Sequence, residues 1–416
     1  MIKDNEIILA KDRYYSMDCY QTQLNNNVVV VGTSGSGKTR SIVSPNILQA
    51  YGSYVISDPK GNLHKKYRRY LEDRGYVVKV LDFIHPEKSD HFNFFKYIRT
   101  EQDILKVANM ITYCDDTKGC TNMDPFWNQS AEIFLCSLIS FLKERKKTDE
   151  MNLNSLHKLV VTATASENNA DSETILDRVM DAHHRDYPDS FAYRQYMKIR
   201  TAPPRTWNCI LATLEAKLGK YDSSALQKMM AYDNMNLQNI GNRKTAIFVV
   251  VSDIDRSLDG LANIFYSQTL DVLCRYADEK CKDNRLPIDV RFILDDFATN
   301  CKIQGFPCII SNIRSRGISA MIMIQAESQL RTGYQEDART ILANCDTYVY
   351  LGGNDVETAK EVAKRCDLPY RKILNMPVST NWIFRRGQEP VHSENFELQN
   401  YMHLKQKAED VGQEIA

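Results

Sequence analysis

Neither sign of charge is in excess in this chain: Lys and Arg together number 53, and so do Asp and Glu, among 416 residues. A basic footprint over the whole molecule, of the kind small DNA-binding domains carry, is therefore excluded, and any nucleic-acid site must be local. The eleven cysteines include no CxxC pair, the closest spacings being Cys114 with Cys120, Cys274 with Cys281 and Cys301 with Cys308. Zinc-ribbon spacing is thus absent, and free thiols in a reducing cytosol are expected. The eight histidines form no HExxH or similar ligand set, and His183-His184 reads as surface. No run of about 18 apolar residues exists; the longest candidate, Ile133–Leu142, is too short to span a bilayer. Met1–Ala10 lacks a basic region followed by an apolar core, so no signal peptide is expected. Repeats and low-complexity segments are missing as well. With 43% hydrophobic and 25% charged residues, the chain is expected to be a soluble cytoplasmic protein. Its length suggests roughly two or three domains.

What the sequence does contain is a recurring short β-branched or apolar run, at Val28–Val31, Tyr54–Ile56, Val77–Leu81, Ala246–Val251, Phe292–Leu294, Ala320–Ile324 and Thr347–Leu351. Apolar on both faces and bounded by Gly, Asp, Asn or Ser, these runs predict a parallel sheet covered on both sides. Between them, patterns such as Leu258, Leu261, Phe265 and Val272 fall on one helix face. The alternation predicts an α/β fold with a mostly parallel sheet.

Strand signals stop near Phe83 and resume near Thr245. Inside that gap Asp124 and Pro125 make a helix start, an N-cap followed by Pro at the first helical position, ahead of Ala131, Phe134, Leu135 and Leu138. The stretch reads as an all-α domain inserted in the α/β domain. Its charge is segregated: Glu167–Asp189 holds seven acidic and two basic residues, Arg194–Lys228 seven basic and two acidic. Tyr193, Tyr196, Trp207 and Tyr221 lie among the basic residues, where bases can stack on rings while Lys and Arg track phosphates; a helical core with a basic face is the plainer alternative.

Gly32-Thr33-Ser34-Gly35-Ser36-Gly37-Lys38-Thr39 directly follows the first strand and matches the GxxxxGK[ST] P-loop in its strand-to-helix context. The glycines let backbone N–H groups curl round a phosphate, Lys38 can neutralise the β- and γ-phosphates, and Thr39 can ligate Mg²⁺ at a helix N-terminus whose dipole favours anions. ATP with Mg²⁺ is the expected ligand pair. Arg291-Phe-Ile-Leu-Asp295-Asp296 is an apolar strand ending in two acids, Asp295 suited to the metal side and Asp296 to activating water; two acids at a strand end are also common turn formers. Ile318–Ile324 ends in Gln325, which can orient water and sense the γ-phosphate, or simply bond backbone. Arg314 and Arg316 precede that strand, and either can reach an adjacent subunit's phosphate or remain a surface arginine. Arg314 stands eleven positions before Gln325, which is expected to put both near one sheet edge. Asp58-Pro-Lys60-Gly61 reads as a turn or as a loop beside the nucleotide. Lys65, Lys66, Arg68 and Arg69 read as a solvated helix face.

Taken in order, these residues resemble the type IV secretion coupling proteins of the TraG/TraD kind, relatives of the FtsK and HerA DNA pumps. The resemblance rests on the P-loop, Ser57-Asp-Pro-Lys-Gly61, Phe92-Asn-Phe94, Asp124-Pro-Phe-Trp127, Leu294-Asp-Asp-Phe-Ala298, Arg314-Ser-Arg-Gly317 and Gln325. It implies a RecA-like nucleotide domain in two parts, 1–95 and 244–390, and an all-α insertion over 96–243; after Arg386 the chain turns polar and mildly acidic, so 391–416 reads as a polar tail or a last helix. It also implies a hexameric ring, monomeric as a soluble chain, that delivers single-stranded DNA with a relaxase or relaxosome to a type IV secretion channel. The family's Walker A residues carry over onto Lys38 and Thr39, its Walker B acids onto Asp295 and Asp296, its sensor glutamine onto Gln325 and its arginine finger onto Arg314.

Two departures stand out. Many relatives have Asp-Glu where this chain has Asp295-Asp296, and the shorter side chain sets the base about 1.5 Å further back, which points to slow hydrolysis. The family also usually begins with transmembrane helices, whereas 27 residues precede Val28 here. The expectation is a soluble fragment of a protein anchored at the cytoplasmic face of the membrane, or a membrane-free variant. Rival readings are a FtsK/HerA-like translocase, which the helical insertion argues against, and a non-hydrolysing ATP-binding substrate adaptor.

Overall fold

The structure, a computed structural model, describes residues 2–113, 124–164, 173–297, 302–399 and 401. It divides into two compact units, one of Met1–Val80, Leu237–Ile254 and Thr269–Ala416, the other of Leu81–Asn236 and Asp255–Gln268.

The first unit carries the strands β1 (Glu6–Ala10), β2 (Arg13–Ser16), β3 (Val28–Val31), β4 (Ser53–Ser57), β5 (Val77–Asp82), β6 (Thr245–Val250), β7 (Val290–Leu294), β8 (Ile318–Ile324), β9 (Thr347–Tyr350), β10 (Thr380–Arg385) and β11 (Val391–Glu394). β1 and β2 form an antiparallel hairpin, while the other nine make one sheet in the order β11-β10-β9-β3-β8-β7-β4-β6-β5. Its centre is parallel, with β3 between β8 and β9, β7 beside β8, and β4 between β7 and β6. Every residue of β3, β4, β6, β7, β8 and β9 is buried. That burial on both faces is what the continuous apolar runs predicted, and the fold is the expected α/β class. Parallel pairing also sends the carboxyl ends of β3, β4, β7 and β8 to one edge, where open α/β sheets bind ligands.

Four strands were not expected. β10 pairs antiparallel with both β9 and β11, and β11 occupies residues 391–394 of the supposed polar tail. The correction has a simple cause: an edge strand is bonded on one side only, so β11 keeps His392 and Glu394 exposed and carries no apolar run. Further on, Tyr401 is buried with Ile2, Ile8 and Phe396, its hydroxyl donating to Gln49 Oε1 at 2.9 Å.

The described part of the second unit is mainly helical. Asp124 caps the helix Pro125–Glu144 by accepting the Phe126 N–H at 3.0 Å, and Thr174 and Asp177 form a reciprocal capping box on Ile175–Asp186. Phe134 packs on Trp207 with ring centres 5.0 Å apart. Glu144 gathers Ser140, His183, Ser190 and the Ala192 N–H around one carboxylate.

Two expectations fail in this unit. His183 is buried rather than superficial, because it follows Leu176 and Met180 on the helix face turned inward. Tyr196, Trp207 and Tyr221 are 1%, 2% and 0% exposed, so they are core and offer no face to a nucleic-acid base. Tyr193 stays near the surface, stacked on His184 at 4.0 Å.

Candidate functional site

β3 brings the chain to Gly32, whose N–H still pairs with the Ile324 carbonyl at 3.1 Å, so the loop begins as an extension of the sheet. The loop then folds on itself: Thr33 N–H bonds Gly352 O at 3.1 Å and Ser36 N–H returns to Thr33 O at 3.1 Å. A Cβ on Gly32 would stand 2.5 Å from Ser36 Oγ and 2.9 Å from Leu351 Cβ, so this closure needs glycine there. Gly37 adopts φ +93°, open to glycine alone at low cost, and feeds a π-turn, Lys38–Val43, that becomes the α-helix Ser44–Leu48.

Lys38 is 8% exposed and turns its ammonium into the loop, donating to Gly32 O at 2.5 Å and Thr33 O at 3.1 Å. Burial lowers its pKa, with the charges of Asp296 and Asp295 opposing that shift. Ser36 Oγ is buried without a hydrogen-bond partner among the described residues. Thr39 Oγ1 donates to Asp295 Oδ2 at 2.9 Å, which ties the loop to the end of β7. Burial and then Asp296 push the Asp295 carboxyl up, while Thr39 and Lys38 pull it back. Asp296 sits at φ +50°, a backbone region seldom used outside glycine, with its N–H on Asp295 Oδ1 at 3.1 Å. The Gln325 Nε2 donates to Asp296 Oδ1 at 3.4 Å, and Gln325 N–H is fixed by Gln329 Oε1 at 2.9 Å.

These features fit a magnesium-bound polyphosphate. A glycine-lined turn, an ammonium satisfied only by carbonyls of its own loop, and an orphaned hydroxyl are groups a phosphate can engage. A threonine hydroxyl beside a carboxylate suits a hard cation that keeps most of its waters and shares substrate oxygens. Among the described residues no cluster of three or more His, Cys, Asp or Glu makes a dedicated metal cage.

Gly32 to Thr39, Asp295, Asp296 and Gln325 are therefore brought together, and Arg314 is not. β8 lies between Arg314 and Gln325, so the two occupy opposite ends of a strand whose seven residues extend about 23 Å. The expectation of a shared sheet edge is corrected on that geometry. Arg314 donates to the Cys19 carbonyl at 2.9 Å, and Arg316 is held by Asp278 through two bonds of 2.8 Å. Asp58 is a buried helix cap: its carboxylate accepts the N–H groups of Asn62, Leu63 and His64.

The role of Ser57, legible only as part of a motif, and the approach of Asn395 escaped the sequence reading. Ser57 Oγ donates to the Asp295 carbonyl at 3.2 Å, and its signal was its place just before Asp58 at the end of β4. The Asn395 amide nitrogen lies 3.8 Å from where a Gly37 Cβ would stand, and nothing in the local sequence announces that approach.

A family profile described as Type IV secretory system Conjugative DNA transfer matches residues 2–367. The chain is 21% identical over 356 residues to the type IV secretion system-coupling protein VirD4 of Bartonella quintana, covering 82% of this chain and 53% of that protein. It is 22% identical over 357 residues to the conjugal transfer protein TraG of Escherichia coli, covering 81% and 54%. The chain thus spans about half the length of the curated relatives it matches. Among solved structures, an unbound conjugative coupling protein TrwB lacking its N-terminus superposes with TM-score 0.65 at 14% identity, over 94% of this chain and 88% of that one. TrwB with ADP and Mg²⁺ gives 0.64 at 16% identity over 89% and 85%. The extent of the profile match, on a RecA-like fold shared with TrwB, means that this chain belongs to the type IV secretion coupling-protein family of conjugative DNA transfer.

Proposed function

We propose that the chain is the ATP-hydrolysing motor part of a coupling protein, which recruits single-stranded DNA with its relaxase and drives it toward a type IV secretion channel. One observation carries the reading: the 2.9 Å bond from Thr39 to Asp295 joins the phosphate loop to the acidic end of β7, with Asp296 and Gln325 beside it.

The residues divide the work as phosphoryl transfer requires. The loop from Gly32 to Lys38 grips the phosphates, and Thr39 and Asp295 would hold Mg²⁺, whose charge polarises the transferring group when bound. Asp296 accepts a proton from water, and Gln325, already within bonding distance of Asp296, orients that water. Asp296 is a shorter base than glutamate, so turnover is slow.

Arg314 completes the site from a neighbouring copy. It stands a full strand length from its own P-loop, beyond any side chain's reach, and its single bond to the Cys19 carbonyl is easier to exchange than the two-bond ion pair of Arg316 with Asp278, which favours Arg314 of the two for an adjacent nucleotide. An inserted arginine is worth about 10³ to 10⁵ in rate. The helical unit handles cargo through its basic stretch by phosphate contacts rather than base stacking, since its large aromatics are core.

Turnover of ATP measured with and without single-stranded DNA tests the reading. Hydrolysis that rises with DNA and disappears in Asp295→Asn is expected, and tight ATP binding with no turnover under either condition would leave a non-hydrolysing adaptor.

A further inference from the structure

A small, half-open cavity, about 20 Å³ in volume, lies at the amino-terminal ends of β7 and β8, away from the P-loop. Arg285, Arg291 and Arg314 line it, with a single carboxylate, Asp289, and with Met17 and Cys19. Two of the arginines are engaged: Arg285 pairs with Asp289 at 2.5 Å, and Arg314 bonds the Cys19 carbonyl at 2.9 Å. Arg291 differs. It is 8% exposed, and among the described residues its guanidinium has no carboxylate partner, only the Met17 thioether. A thioether is a weak acceptor, so most of the five N–H donors of Arg291 find no protein oxygen.

A buried guanidinium in that condition is costly, and a central strand of a packed sheet is a poor place for one unless something else meets it. Burial indeed lowers the pKa of Arg291. Burial likewise raises that of Asp289, although Arg285 and Arg291 both favour its ionised form. Gly317, at φ +75°, keeps the rim clear: a Cβ there would stand 2.8 Å from Asp289 Oδ1 and 3.4 Å from Arg285. Three guanidiniums against one carboxylate leave two positive charges, matched to a phosphate dianion, and planar forks suit its oxygens better than ammonium groups do.

We propose that this cavity binds a phosphate group, with Arg291 as its fixed contact and with Arg285 and Arg314 turning onto it from Asp289 and the Cys19 carbonyl. The group is a free phosphate or the terminal phosphate of a nucleotide held by another copy's P-loop. With a free phosphate the inference stands in a single chain; with a neighbour's nucleotide it rests on the proposed action of Arg314 across an interface.

Phenylglyoxal modification with peptide mass mapping reads each arginine separately, and Arg316, bonded to Asp278, serves as the control. The first arm uses inorganic phosphate on dilute Lys38→Ala chain, in which the P-loop has lost its ammonium. The second uses Mg²⁺ and the ATP analogue ADPNP on concentrated wild-type chain. At ten times the half-protecting ligand concentration, modification of Arg285 and Arg314 should slow about elevenfold, since only the free fraction reacts, with Arg316 unchanged. Protection in the phosphate arm assigns a free phosphate. Protection by ADPNP alone, lost in Lys38→Ala, assigns a neighbour's nucleotide. Arg291→Gln should abolish protection in either case. Should that variant not fold, Arg285→Gln at the half-buried rim should raise the half-protecting concentration read at Arg314. No protection in either arm, equal protection of Arg316, or full protection in Arg291→Gln would overturn the proposal.

Discussion

Replacing Lys38 by alanine separates what the P-loop does for ligand from what it does for the fold. In the structure the Lys38 ammonium makes two bonds to carbonyls of its own loop and is 8% exposed. Losing two bonds to a charged donor costs about 3 to 6 kcal/mol at most, but removing a buried ammonium also removes a desolvation penalty of several kcal/mol. The two carbonyls belong to a loop that opens to water at Gly35, where nothing lies within 4 Å of a Cβ position, so they can be rehydrated. These terms nearly cancel, and the ligand-free variant should match the wild type within about 1 kcal/mol. The nucleotide response should not survive. At a concentration a hundred times its dissociation constant, Mg-ADPNP stabilises a binding-competent chain by about 2.7 kcal/mol, or roughly 5 to 10 °C for a unit of this size. Differential scanning fluorimetry at matched nucleotide concentrations should therefore give a shift in the wild type and none in Lys38→Ala, from nearly equal starting midpoints. An undiminished shift in the variant would refute the assignment of Lys38 to phosphate, and a large drop in its ligand-free midpoint would refute the cancellation.

Gln325→Ala should cut ATP turnover about a hundredfold or more while leaving ADP affinity intact, because it removes a group that acts on water rather than on bound nucleotide; steady-state rates with an ADP titration check both halves. Trp207→Ala should destabilise the helical unit by about 3 to 5 kcal/mol in urea unfolding, since the ring is core beside Phe134; a folded variant with selectively weakened DNA binding would restore the stacking idea. Asp177 gives a pH signature. Burial raises its carboxyl, but Arg200, the Thr174 N–H and Tyr196 outweigh that and hold it at about 2 against an ordinary 3.8. A depressed acid stabilises above its unfolded value and loses that contribution as pH falls through the folded one. Stability should decline by about 1 to 2 kcal/mol between roughly pH 4 and 2, after allowance for solvent screening, and Asp177→Asn should remove that slope in circular dichroism titrations.

The legible parts of this molecule are those where physics leaves one solution. Strands buried on both faces are mostly apolar, so β3, β4 and β6 to β9 stand out as runs, whereas β2, β10 and β11 are partly exposed and have ordinary compositions, and β1 offers only the short apolar run Ile7–Ala10. The phosphate loop is legible because close backbone approach excludes side chains at Gly32 and φ +93° at Gly37. The ends of β8 were legible too: a seven-residue strand between Arg314 and Gln325 holds them about 23 Å apart. Trp207 begins a face shared by Ile210, Leu211, Leu214 and Leu218, a helical spacing that marks core more strongly than neighbouring lysines mark a nucleic-acid surface. The Asn395 approach to Gly37 and the three-arginine cavity were beyond sequence reading, because each joins segments far apart in the chain.

The phosphate loop and acids stand at one end of β8 and Arg314 at the other, so on the proposed function hydrolysis is expected to need two copies. Mixing Lys38→Ala chains with Arg314→Ala chains measures this directly. Each variant alone should be inactive, and the mixture should recover part of the wild-type ATP turnover, because an intact P-loop then meets an intact Arg314 across an interface. Wild-type specific activity should also rise with protein concentration in the same assay. A mixture that stays inactive, with wild-type specific activity flat over a hundredfold dilution, would show that the site is complete within one chain and that Arg314 serves only to hold Cys19.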